Sequence, residues 1–166
     1  MATAGAWRCW LAALCLALLT AACGGPDDPG DDVVPPAEPP PFEAARFDEV
    51  DDGVLRAYLR LQDALAYDRF GAAHAAAAAL RLAADDGLAP LAEAAATAED
   101  ITGLRIAFRP LSEQLIGSRD LPPGFAVAYC PMAFDYEGGR WVQAEGHLMN
   151  PYYGAHMLRC GAFETD

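Results

Sequence analysis

The sequence predicts a mainly α protein: an antiparallel four-helix bundle with a small C-terminal β-hairpin and a cysteine-containing turn element. Three observations carry that reading. Between residues 47 and 117 apolar side chains recur at three- and four-residue steps, in four runs separated by short breaks. After Leu121-Pro122-Pro123-Gly124 the pattern changes to short runs rich in aromatic residues, which suit strands. Beyond Cys23, the soft and imidazole side chains gather in one stretch, Cys130 to Gly161. Cys130, Met132, His147, Met149, His156, Met157 and Cys160 all lie there, and His74 alone lies outside it.

Residues 1–22 read as a lipoprotein signal peptide. Arg8 supplies the positive n-region, and the apolar run from Trp10 to Leu19 is far short of the roughly 20 residues that span a bilayer. Small residues lead into Cys23 (Leu19-Thr20-Ala21-Ala22-Cys23-Gly24), as in a bacterial lipobox, so Cys23 is the expected lipidation site. Acyl chains contribute about 0.8 kcal/mol per buried CH₂, enough together for stable anchoring. Gly24 does not match an inner-membrane retention signal, which favours the outer membrane. Residues 23–41 then form a tether. GGPDDPGDDVVPPAEPPP is proline, glycine and aspartate with almost nothing to bury, so it is expected to stay extended and disordered. Its four aspartates lack the alternating ligands and closing glutamate of an EF-hand.

The domain proper spans 42–166. A first helix is expected over Phe47 to Arg69, where Val50, Val54, Leu55, Tyr58, Leu61 and Leu65 share a face, Asp48 and Glu49 favour the N-terminal dipole, and Gly71 makes the break. Ala72 to Ala84 is a second, nearly pure alanine, with high propensity and a thin profile. His74 on it reads as a surface residue. Leu88 to Asp100 is a third, with Pro90 in the tolerated first turn. Ile101 to Gly117 is a fourth, kinked or weakened at Pro110. Two strands follow, Phe125–Tyr129 and Arg140–Gln143, joined by the loop Asp135–Gly139. Asn150-Pro151-Tyr152-Tyr153-Gly154 is a tight turn, and Ala155 to Cys160 a single helical turn.

Two chemistries fit the C-terminal cluster. Thiolate and thioether donors select Cu(I), and imidazole extends the choice to other metals. Cys130 and Met132 sit at a strand end, while Met157 and Cys160 are three apart on a turn. The expected ligand set is therefore Cys130, Met132, Met157 and Cys160, with His147 and His156 added by proximity. The other chemistry is a Cys130–Cys160 disulfide, which an oxidising compartment favours for two cysteines left after export. The methionines would then be core filler, and Trp141, Tyr152 and Tyr153 would pack the element onto the helices.

The residues Tyr58-Leu59, Ala64-Leu65, Phe108, Leu111-Ser112, Cys130-Pro131-Met132-Ala133, Trp141, Asn150-Pro151-Tyr152, Gly154, Met157 and Cys160-Gly161 form a pattern covering about 47–162. The pattern resembles a family of uncharacterised bacterial periplasmic domains, found alone or appended to the periplasmic adaptor subunits of heavy-metal efflux pumps. The resemblance implies a helical body with a small cysteine-bearing element and a link to metal efflux or copper handling. It supplies no activity.

Composition narrows the field further. Net charge is −13, and every basic residue is arginine, with no basic patch, so nucleic acid is excluded as a partner. There is no C-x-x-C, C-x-x-C-H, H-E-x-x-H or G-x-S-x-G, so no enzyme is expected. The expectation is a monomeric, lipid-anchored, periplasm-facing Cu(I)-binding protein that works with an efflux adaptor or metallochaperone. The alternative is a disulfide-stabilised, non-enzymatic module docking on an envelope or efflux complex.

Overall fold

The computed structural model describes residues 40–165, so the signal peptide, Cys23 and nearly all of the tether lie outside the described residues. A turn at 44–49 leads into α1 (Gly53–Ala66), followed by α2 (Phe70–Ala83), α3 (Ala89–Ala96) and α4 (Ile101–Ser118). A three-stranded sheet completes the chain: β1 (Phe125–Cys130), β2 (Gly139–Ala144) and β3 (Ala162–Phe163), in the order β2-β1-β3, all antiparallel. The expected helical body with a C-terminal sheet is therefore present, and β3 is an addition. No helix among the described residues is long and apolar enough to cross a membrane.

Helix limits differ from expectation for local reasons. α1 begins at Gly53, not Phe47, because Asp52 is the N-cap: its carboxylate accepts from the Val54 and Leu55 amides at 2.8 and 3.0 Å. Gly71 breaks nothing and is the second residue of α2. The reversal falls at Tyr67–Arg69, where Asp68 takes a left-handed conformation (φ 56°). α3 ends at Ala96, four residues early, and Asp100 caps α4 through the Gly103 amide at 2.7 Å. Pro110 is accommodated inside α4.

The helices pack in chain order, α1 on α2, α2 on α3 and α3 on α4. α1 and α4 both also pack on β2. Leu59, Leu61, Leu65, Leu80, Leu104, Phe108, Leu111 and Leu115 are fully buried in that core, each contributing about 1.5–3 kcal/mol of hydrophobic stabilisation. A polar seam runs through it. The Tyr58 hydroxyl hydrogen-bonds Ser112 and accepts from the Val142 amide at 3.0 Å, which fixes β2 against α1 and α4. Burial pushes the Tyr58 phenol far above its ordinary pKa, so it stays protonated as a donor.

Candidate functional site

The C-terminal stretch after β2 has little regular structure, so its backbone groups need other partners. Buried side chains supply them. Gln143 accepts from the Trp141 indole (2.9 Å) and the Met149 amide (2.8 Å), and donates to the Ala144 and His147 carbonyls (3.0 and 2.8 Å). Gln62 of α1 donates to the Met149 carbonyl at 2.7 Å. Asn150, wholly buried, does most. Its Oδ1 accepts from the Tyr152 and Tyr153 amides (2.8 and 3.2 Å), and its Nδ2 donates to the Cys160 carbonyl (2.8 Å). Its own amide donates to the Leu158 carbonyl at 2.8 Å. Asn150 was legible in the sequence only as a turn residue, yet it ties the start of the loop to the cysteine at its end.

Two glycines set the path. Gly154 (φ 60°) passes so close to Asp68 and Arg105 that a Cβ would strike both. Arg105 there donates to the Pro151 and Leu65 carbonyls at 2.8 and 2.9 Å and pairs with Asp68 at 2.5 Å. Gly161 (φ 125°) lies against β1, and a Cβ would meet the Tyr129 carbonyl oxygen at 2.6 Å. That approach, with Tyr129 paired to Ala162, brings Cys160 beside Cys130.

The Cys130 and Cys160 sulfurs are 2.8 Å apart. Both are thiols here; Cys130 is fully buried at the end of β1 and Cys160 is partly exposed. Desolvation, with Cys130 as hydrogen-bond partner and neighbour, pushes the Cys160 thiol up to about 11. At neutral pH it is a thiol, not a thiolate, which makes it a weak nucleophile. Tyr153 lies beside the pair: its hydroxyl donates to the Met132 carbonyl at 2.6 Å, and burial, then the two cysteines, raise its pKa.

The connection from Cys130 to β2 is longer than the expected loop at Asp135–Gly139, and differently shaped. It runs over 131–138, and Phe134, Asp135 and Tyr136 form a left-handed turn (φ 56°, 55° and 71°). Left-handed geometry costs about 1–2 kcal/mol per non-glycine residue, so it must be held. The Arg109 guanidinium lies 4.7 Å over the Phe134 ring and pairs with Glu137 at 2.7 Å. Tyr152 packs edge-on against Phe134 at 5.0 Å, and the Gly138 amide closes onto the Ala133 carbonyl at 2.9 Å.

Of the predicted metal ligands, the structure brings Cys130 and Cys160 together. Met132 is partly buried two residues past Cys130 and packs against the core, and Met157 is partly buried at the end of a 3-10 turn, Gly154–Met157. Cys160 lies beyond that turn, its amide donating to the Met157 carbonyl at 3.0 Å, so the single helical turn expected to reach Cys160 is shorter. His147 and His156 are both exposed. Among the described residues no three His, Cys, Asp or Glu side chains converge at metal-binding spacing. The soft donors seen side by side are the Cys130 and Cys160 sulfurs. Comparison with protein-family models, curated proteins and solved structures gives no match to this chain.

Proposed function

We propose that this chain is a lipid-anchored, envelope-facing, non-enzymatic binding module whose C-terminal element is closed by a Cys130–Cys160 disulfide. The observation that carries the reading is the 2.8 Å approach of the two sulfurs, with Cys130 fully buried. Closing the bond needs little movement, since S–S bonds are about 2.05 Å. The raised Cys160 pKa supports a structural pair over a nucleophile. The signal-like segment and Cys23 support a location where disulfides persist, and the residue after the cysteine favours the outer membrane. In this reading α1–α4 form an antiparallel four-helix body, and the stapled element presents Tyr136 and Tyr129, both exposed, to a partner in an envelope or efflux complex.

Thiol quantification on protein purified from the oxidising envelope tests it. Neither Cys130 nor Cys160 should react with a thiol reagent after denaturation without reductant. Full labelling of both under those conditions would sink the disulfide. A second reading is favoured by the same adjacency: the reduced pair, with Met132 near in the chain, captures Cu(I) for an efflux adaptor or metallochaperone. Competition of the reduced protein against a chromophoric Cu(I) chelator, beside a Cys130→Ala, Cys160→Ala variant, checks it. Stoichiometric capture lost in the variant supports the metal role; no capture removes it.

A further inference from the structure

The two sulfurs lie side by side at 2.8 Å, yet the two cysteines meet solvent unequally. Cys130 is 0% exposed. It ends β1, paired to Gly139 of β2, and belongs to the cluster that holds Ala128, Ala133, Trp141 and Tyr152. A residue with no exposed surface offers its sulfur to no reagent unless the sheet opens. Cys160 is partly exposed, in the short link between the 3-10 turn and β3, and its thiol lies close to the protein surface. Gly161 and Ala162, which follow it, are exposed and too small to shield it. The link itself is pinned: the Cys160 amide donates to the Met157 carbonyl at 3.0 Å, and Asn150 Nδ2 donates to the Cys160 carbonyl at 2.8 Å.

Two thiols do not join without an oxidant. Thiol–disulfide exchange supplies one, through a mixed disulfide, and its rate depends on which sulfur an incoming group can reach. We infer, resting on the disulfide reading above, that Cys160 is the sulfur through which a disulfide-bearing partner of the thiol oxidoreductase class oxidises the pair, Cys130 acting only in the second step.

In the first step the Cys160 thiol gives its proton to solvent and its sulfur attacks one sulfur of the partner's disulfide. A Cys160–partner S–S bond forms, the partner's own S–S bond breaks, and the other partner sulfur leaves as a thiolate that takes up a proton. In the second step Cys130 loses its proton and attacks the Cys160 sulfur, already beside it. The Cys130–Cys160 bond forms and the partner's second sulfur leaves. Two thiols here are oxidised and one partner disulfide becomes two thiols. Access selects Cys160, not acidity: its raised pKa keeps the first step slow at neutral pH. The reverse reaction also enters at Cys160 and must expel Cys130 as a buried thiolate, a poor leaving group, so the closed bond resists reduction.

Glutathione disulfide is the probe, applied to the full reduced chain and read by mass spectrometry of tryptic peptides. Arg140 and Arg159 separate the two cysteines, which fall on peptides 120–140 and 160–166. Folded Cys130→Ala should take up glutathione on Cys160. In folded Cys160→Ala, Cys130 should react at least about tenfold more slowly, and should catch up on denaturation. A short pulse of iodoacetamide on the unsubstituted reduced chain repeats the comparison without any variant, and should mark Cys160 before Cys130. Equal or faster reaction at Cys130 in the folded protein overturns the inference, as does a Cys160 that takes no glutathione. The unsubstituted chain separates this from the disulfide itself: with glutathione disulfide it should end as linked peptides 120–140 and 160–166. Glutathione retained on Cys160 with no link formed would sink the disulfide and the second step together, whereas a link formed with Cys130 reacting first would sink only the assignment of Cys160.

Discussion

Reducing the closed Cys130–Cys160 pair is expected to cost the domain about 3–4 kcal/mol. The two cysteines are 30 residues apart. In the chain-entropy treatment a closed loop of that length removes about 3.6 kcal/mol of denatured-state freedom at 25 °C. For a domain of this size that corresponds to a fall in Tm of about 10–15 °C. The native contacts argue against a larger loss. Asn150, Gln143 and Arg105 hold the loop by bonds that do not depend on the sulfurs. The assay is thermal unfolding by circular dichroism of oxidised and reduced protein, with a Cys130→Ala, Cys160→Ala variant beside them. The variant should melt at or below the reduced form, because Cys130 is fully buried and its sulfur leaves a void. Coincident melting of the oxidised and reduced forms, with the bond verified, would refute the reasoning.

The reduced form should also acquire a pH dependence that the oxidised form lacks. The Cys160 thiol is raised in the folded state to about 11 from an ordinary 9.0, so the unfolded chain releases its proton first. That stabilisation is complete below pH 9 and is lost as pH rises through 11; the difference between reduced and oxidised urea-unfolding free energies, followed over that window, checks the sign. Asn150→Ala strands the Cys160 carbonyl and the Tyr152 and Tyr153 amides, and should cost about 2–3 kcal/mol. It should also speed alkylation of Cys160 in the reduced protein, which timed mass spectrometry reads out. Tyr136→Asn should raise stability by about 0.5–1 kcal/mol in chemical denaturation, since Tyr136 is 77% exposed at φ 71° and asparagine tolerates that geometry better.

The parts of this molecule that were legible in its sequence are those decided by period and burial. Leu61, Leu65, Leu104, Phe108, Leu111 and Leu115 repeat at helical steps and are buried. The strand beginning at Phe125 and the two cysteines stood out for similar reasons of pattern and chemistry. What stayed hidden depends on backbone conformation or on distant pairing. Asp68, Phe134, Asp135 and Tyr136 take positive φ without being glycine, and aromatic residues such as Phe134 and Tyr136 do not announce that geometry. β3 is two residues long and exists because Gly161 can lie against Tyr129. A groove bordered by Arg60 and Asp63 depends on where residues 42–47 lie, which no local pattern states.

The polar seam has a bearing on how the C-terminal segment comes to be folded at all. Its anchors are Gln62 and Arg105 in the helices, and Tyr58 and Ser112 beneath β2. None belongs to the segment they organise. The cysteine-bearing loop is therefore not a portable hairpin. Excised with its strands and grafted elsewhere, it would carry its cysteines, Asn150 and Gln143 but leave behind the helix groups that seat the loop. The helices act as its template, so in refolding the sulfurs should meet only after α1 and α4 have docked.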